Sequence, residues 1–276
     1  MTDLRAMSVS AGMESPRAGA LGEIPRIGVP SRAAFSDYVR RGRPVVIAGA
    51  LEDCPARRWS PEHFKSAYGD RMIPVAPVRD GKVVYGAEFG VRYEQIRFGE
   101  WLDGLLAGSP PPYYAMFHVA EVLPDLADDL RVPSFCPPAP WSQTRFWMSP
   151  ADTGSPMHQD LPDNLLAQFI GRKRIVLVPP GDSWRMYRYS ITSHLPQYSR
   201  VDAETPDFNR FPRFARARQI VVEIGPGDLL YLPRLWWHQV RSLDFSVSVN
   251  YWWATGWRYA VVRMAVAYQR VRRIRW

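Results

Sequence analysis

Three side chains have the types and spacing to hold one metal ion. The segment Ser155-Pro156-Met157-His158-Gln159-Asp160 sets a histidine and an aspartate two residues apart. Side chains two apart on a strand share a face, so His158 and Asp160 reach one ion from the same side. A second histidine, His238, ends Tyr231-Leu232-Pro233-Arg234-Leu235-Trp236-Trp237-His238. Two imidazoles and one carboxylate on one face of an octahedron form the facial triad of non-haem Fe(II) oxygenases. The opposite face is left for a chelating cosubstrate and O2. Imidazole and carboxylate suit Fe(II), whereas thiolate selects other metals. His63, His118 and His194 have no comparable setting and read as structural or surface residues.

A histidine and an aspartate at this spacing are common, so the elements around them decide. Pro226-Gly227-Asp228 makes a turn ahead of the strand candidate Leu229–Leu232, which delivers His238 beside two tryptophans. From Tyr113 onward, short apolar runs recur between turn residues: Tyr113–Phe117, Thr144–Met148, Ala167–Ile170, Ile175–Val178, Ile220–Ile224, Leu229–Leu232 and Phe245–Trp253. This is the pattern of a sandwich or barrel. Before it come helix candidates over 31–40 with Ser31 as cap, after Trp59 with Ser60 as cap and Pro61 in the first turn, and over Phe98–Leu106. Pro44-Val45-Val46-Ile47 reads as a short buried strand, and Val83-Val84-Tyr85 as another.

Lysine is scarce: Lys65, Lys82 and Lys173 are the three lysines among 35 basic residues. Lys173 follows Asp160 in Gly171-Arg172-Lys173-Arg174. One reading is a surface cation in a basic turn. The other is an ammonium at the bottom of the pocket, pairing with a distal carboxylate through a charge-assisted bond.

The chain has 276 residues, 46% hydrophobic and 22% charged, which is enough to bury a core without staples and too apolar for wholesale disorder. Cys54 and Cys136 fit no zinc or redox pattern, and a reducing, cytoplasmic setting is expected. No apolar run is long enough to span a bilayer. Residues 1–25 read as a flexible leader, and 26–253 as a single domain with its β core at about 113–253. The net charge of +8 is uneven. Arg258, Arg263, Arg270, Arg272, Arg273 and Arg275 lie in 254–276 with no acid, which leaves +2 on 1–253. That tail reads as a basic helix, with Trp257, Val261, Met264, Tyr268 and Val271 at 4,3,4,3 spacing. Its stripe has three readings: cover for the body's own surface, pairing with a second copy in a homodimer, or arginines facing nucleic acid or an anionic membrane surface.

From Ser155 to Trp253 the chain resembles the cupin-like, JmjC-type Fe(II)/2-oxoglutarate-dependent oxygenases, especially the cupin-8 group that includes the hypoxia-inducible factor asparaginyl hydroxylase. The matching stretches are Ser155–Asp160, Asp163-Asn164-Leu165, Gln168 with Gly171–Arg174, Val178-Pro179-Pro180, Ser199 with Val201-Asp202, Pro226-Gly227-Asp228, Leu232-Pro233 with Trp236-Trp237-His238, and Val249-Asn250 with Trp252. A looser match runs back to residue 31. The resemblance implies a mainly β fold, a double-stranded β-helix of the jelly-roll or cupin kind, with N-terminal helices outside and a C-terminal helix. It implies Fe(II) on His158, Asp160 and His238. It puts the distal carboxylate of 2-oxoglutarate on Lys173, with hydroxyls from Ser155 and Tyr114. A slip of one residue would exchange Tyr114 for Tyr113. Asn164 and Asn250 would line the cosubstrate's metal-proximal end or orient bound oxygen.

The implied reaction oxidises a substrate C–H with O2 and releases succinate and CO2. A protein or peptide side chain is the favoured substrate. An RNA nucleoside, a small metabolite or a non-catalytic cupin-like binding module are the alternatives. Aromatic residues such as Trp184, Tyr187, Tyr189, Tyr198 and Trp252 read mostly as core, with Gly181–Arg200 as the variable substrate loop. Gln197 and Tyr198 depart from the Arg-Gln pair of the hypoxia-factor hydroxylase, so its particular substrate does not carry over.

Overall fold

The period-two runs of the C-terminal half build two facing sheets. The computed structural model describes residues 22–86, 90–91, 93–109, 112–139, 141–193 and 195–271. Most of the expected leader, His194, the Arg270 side chain and Arg272, Arg273 and Arg275 lie outside the described residues.

The strands that matter here are β1 (Val45–Ile47), β2 (Met72–Arg79), β3 (Tyr113–His118), β4 (Trp141–Ser149), β5 (His158–Gln159), β6 (Asp163–Ile170), β7 (Lys173–Val178), β8 (Ile220–Ile224), β9 (Leu229–Leu232), β10 (Trp237–Ser242) and β11 (Ser246–Ala254). The larger sheet runs β1-β9-β6-β11-β4-β3-β2 through its middle, and the smaller runs β5-β10-β7-β8. From β4 to β11 successive strands alternate between the sheets, except that β7 and β8 pair with each other in the smaller one, and the result is a double-stranded β-helix in a mainly β fold. The larger sheet reaches further back in the chain than Tyr113. Met72–Arg79 pairs with β3 and Val45–Ile47 with β9. Pro74 and Pro77 break the apolar run of β2, which hid it as a strand. The Val83–Tyr85 candidate divides into Lys82–Val83 and Tyr85–Gly86, separated at Val84.

Two of the four hydrophobic clusters among the described residues hold the sheets in place. Between them, Leu166, Leu230 and Leu232 of the larger sheet pack against Ile175, Leu177, Ile220 and Ile224 of the smaller. On the outer face of the larger sheet, Leu165, Tyr231, Val249 and Trp253 pack against Phe35, Phe64, Phe98 and Trp101. Each such side chain contributes about 1.5–3 kcal/mol when fully buried. Those aromatics come from α1 (Arg32–Arg41), α2 (Pro61–Tyr68) and α3 (Phe98–Leu106). Ser31 and Ser60 cap the first two, accepting from Ala34 N and His63 N at 3.2 Å. With both faces covered, β6 is buried along nearly its whole length, so its sequence lacks a clean polar alternation.

The terminal helix, α4 (Trp257–Val271), docks through Val262, which is 4% exposed. The expected stripe points elsewhere: Trp257, Met264 and Tyr268 are 74%, 65% and 52% exposed. These three stripe residues therefore face away from the body, whereas Val261 is half-buried. No helix among the described residues is long and apolar enough to cross a membrane.

Candidate metal centre and cosubstrate pocket

The three candidate metal ligands meet because two strands of the smaller sheet pair in one register. β5 runs antiparallel to β10 with His158 opposite His238. Their ring centroids are 4.2 Å apart. Asp160 follows as β5 ends, with Oδ2 3.7 Å from His238 Nε2. One ligand atom from each of the three lies within 4.8 Å of the others.

The imidazoles are oriented for this task. His158 Nδ1 lies 2.8 Å from the Pro156 carbonyl, and His238 Nδ1 lies 3.0 Å from the Trp236 carbonyl. A carbonyl only accepts, so both rings donate from Nδ1 and keep Nε2 lone pairs for an ion. Burial, reinforced by the neighbouring His238, pushes the His158 pKa down and favours the neutral ligand form. Tyr198 stacks on His158 at 5.3 Å between centroids. The Asp160 carboxylate is held from the larger sheet. Trp252 Nε1 donates to Oδ2 at 3.0 Å, and Asn164 Nδ2 approaches it at 3.5 Å. Asn250 Nδ2 in turn donates to Asn164 Oδ1 at 2.7 Å. This donor set and its outer bonds fit Fe(II).

Lys173 opens β7 on the same strand face as Leu177, the register partner of His238. Gly171 makes the turn that delivers it. Its φ is +67°, and a Cβ there would meet the Phe245 carbonyl oxygen at 2.0 Å. Lys173 is 1% exposed. Its ammonium donates to two neutral oxygens, Tyr114 Oη at 3.2 Å and Ser242 Oγ at 2.9 Å. A buried ammonium with neutral partners is costly unless an anion joins it. Ser155 Oγ is buried on the wall of the same cavity without a hydrogen-bond partner, as is Ser248 Oγ. A dicarboxylate with one end at the triad and the other at Lys173 answers both features. Gly154 sets Ser155 in place by lying so close to β10 that a Cβ would meet Val240 O at 2.0 Å.

All eight residues singled out in the sequence line one cavity: His158, Asp160, His238, Lys173, Ser155, Tyr114, Asn164 and Asn250. The tyrosine register is resolved. Tyr114 is buried against Lys173, while Tyr113 Oη donates to Glu94 at 2.7 Å on the outside. Asn164 and Asn250 bond each other and lean on Asp160. Sequence reasoning missed Ser242, Ser248, Arg145 and Trp147, and placed Trp252 with the core aromatics. Strand parity was the signal available: Ser242 is four residues past His238, and Ser248 and Trp252 flank Asn250 at two.

The profile of the cupin-like domain family matches residues 31–258. Lysine-specific demethylase 8 of Xenopus tropicalis is 33% identical over 249 residues, covering 84% of this chain and 53% of that protein. Jumonji C domain-containing protein 5 of Drosophila melanogaster is 30% identical over 245 residues, 84% of this chain and 60% of its own length. The tRNA wybutosine-synthesizing protein 5 of Gallus gallus is 33% identical over 249 residues, covering 84% and 77%. The chain thus spans little more than half the length of the demethylase and Jumonji relatives it matches.

Proposed function

The chain belongs to the cupin-like family of JmjC-type Fe(II)- and 2-oxoglutarate-dependent oxygenases, and we propose that it hydroxylates a C–H bond of a protein or peptide side chain, releasing succinate and CO2. The observation that carries this reading is the Lys173 ammonium, buried beside the triad with two neutral hydroxyl oxygens for partners.

In this reading His158, Asp160 and His238 hold Fe(II). The iron, with 2-oxoglutarate and O2, supplies the oxidising power for exchanging hydrogen for hydroxyl. Lys173 binds the distal carboxylate, and Tyr114 and Ser155 add hydroxyl bonds to it. Asn250 and Asn164 fix the Asp160 carboxylate through one chain of amides, and Trp252 fixes it through its indole N–H. The Met116, Leu166 and Val240 side chains in the wall exclude water around these groups. The test is succinate formation with Fe(II), 2-oxoglutarate and ascorbate, together with iron-dependent binding of 2-oxoglutarate. Absence of both would overturn the reading, and metal binding without turnover would favour a cupin-like binding module.

A second reading, the same chemistry on an RNA nucleoside, is supported by a surface on the segment that joins β7 to β8. Arg213 lies over Tyr187 at 4.4 Å and Arg185 over Trp184 at 4.5 Å, and Trp184 is 54% exposed. Such arginine and aromatic pairs suit single-stranded bases. The tRNA wybutosine-synthesizing relative fits this reading. Salt-dependent retention of RNA, lost in Trp184→Ala with Arg213→Ala, would favour it. The exposed Trp257, Met264 and Tyr268 also fit pairing of α4 with a second copy of this chain, which light scattering of the intact protein tests.

A further inference from the structure

A buried carboxylate outside the cavity is tied to two of the three candidate metal ligands. Asp163 opens β6 and is 3% exposed. Its neighbour Asn164 lines the cavity, so strand alternation turns Asp163 to the opposite face. There Oδ1 accepts from Tyr231 Oη at 2.8 Å and from the Arg234 amide at 3.2 Å. That amide belongs to a turn over 233–236, in which Trp236 N donates to the Pro233 carbonyl at 3.2 Å. The next two residues of the turn reach the site. Leu235 N donates to the Asp160 carbonyl at 2.7 Å, and the Trp236 carbonyl accepts from His238 Nδ1 at 3.0 Å.

This turn needs an outside hold. Leu235 has φ +63°, a left-handed conformation that is uncommon outside glycine and persists where the surroundings fix it. Asp163 supplies that hold from the sheet, on the residue just before Leu235. Its other oxygen, Oδ2, faces two guanidiniums, Arg234 Nη1 at 3.7 Å and Arg258 Nη1 at 3.9 Å. Neither arginine pairs with another carboxylate among the described residues. A buried carboxylate is costly without such partners. Arg258 stands in the first turn of α4, so the terminal helix supplies one of the two cations. One arginine of the basic tail thus faces the body.

We propose that Asp163 is a positioning residue of the metal centre. Paired with Arg234 and with Arg258 of the terminal helix, it fixes the 233–236 turn, and through that turn the Asp160 main chain and the His238 ring. The inference rests on the metal-centre reading above and gives α4 a part in it.

The test measures the affinity of the full chain for Mn(II), a redox-inert stand-in for Fe(II), by calorimetry. Circular dichroism and thermal unfolding report whether each variant is folded. Asp163→Asn keeps the side-chain size and an acceptor oxygen but removes the charge. Groups behind the ligands commonly change metal affinity by about 10- to 100-fold, so Asp163→Asn is expected to weaken Mn(II) binding about tenfold. Arg258→Gln alters a partly exposed side chain and should weaken binding about threefold, while Arg258→Lys should restore it to within about twofold of wild type. Asp129 is the control, a carboxylate outside the cavity that accepts from Trp59 Nε1 at 2.8 Å. Asp129→Asn should cost stability and leave Mn(II) affinity unchanged. Wild-type affinity in folded Asp163→Asn or in folded Arg258→Gln overturns the proposal. So does an Arg258→Lys variant as weak as Arg258→Gln, or an equal loss in Asp129→Asn. In each of these cases wild type still binds Mn(II) and the metal-centre reading stands. If Asp163→Asn does not fold, the two Arg258 variants decide. If wild type binds no Mn(II), both the proposal and the metal-centre reading fall.

Discussion

His158 and His238 are register partners on antiparallel strands, and each ring is pinned through Nδ1 to the carbonyl two residues before it. The candidate metal site is thus part of the sheet's own hydrogen-bond ladder. Substituting His238→Ala removes one ligand and leaves the ladder's backbone bonds intact. The expected result is loss of stoichiometric iron with an unchanged far-UV circular dichroism spectrum. Iron retained at one equivalent in the folded variant would remove His238 from the ligand set.

Lys173 predicts a different signature. Its bond to a ligand carboxylate would be charge-assisted and dry, and bonds of that kind contribute roughly 1.5–3 kcal/mol. Lys173→Met should therefore weaken 2-oxoglutarate binding by about 10- to 100-fold. Metal content should be unchanged, because Lys173 has no contact with the triad. Calorimetric titration of 2-oxoglutarate into the Mn(II)-loaded variant measures the first, and metal analysis the second. Equal affinity in the variant would place the distal carboxylate elsewhere.

Trp252 links the sheets chemically, because its indole N–H bonds the Asp160 carboxylate from the opposite sheet. Outer partners of this kind commonly affect metal affinity by about 10- to 100-fold. Trp252→Phe keeps most of the ring and removes the donor. Metal affinity should fall within that range while thermal stability changes little, since the side chain is only partly buried. Chelator competition reads the affinity, and an unchanged value would reduce Trp252 to a wall residue.

The triad was legible because metal ligation needs particular residue types at strand spacing, and His158, Asp160 and His238 satisfy it locally or by a single long-range pairing. Lys173 was legible through rarity, as one of three lysines in the chain. Ser242, Ser248 and Arg145 were not, because serine and arginine occur everywhere and only sheet register puts these copies inside. Register also separated Tyr114 from Tyr113, which no local property distinguishes. The strand Met72–Arg79 stayed hidden because its prolines mimic a loop. In the terminal helix the apolar stripe left its partner open, and among the described side chains Val262 beside it is the buried one while Trp257, Met264 and Tyr268 are exposed.

His118 carries a prediction about pH. Burial first, and the nearby Arg145 charge second, push its pKa from the usual 6.5 down to about 4. Below pH 6.5 the unfolded chain takes up a proton that the folded chain refuses until about pH 4. The contribution of His118 is therefore complete above pH 6.5 and lost as pH falls through that window. His118→Gln keeps an acceptor for Arg145 and Gln143 but does not titrate. At pH 7 the variant should be less stable than wild type by about 1 kcal/mol, the scale of one hydrogen bond. That deficit should shrink or reverse as pH falls to 4.5, because only wild type loses stability through this group. Urea denaturation of both proteins between pH 4.5 and 7.5 gives the difference directly, free of the parallel titration of His158 that they share. A deficit independent of pH would mean that His118 titrates normally in the folded protein and that Arg145 does not lie against a neutral ring.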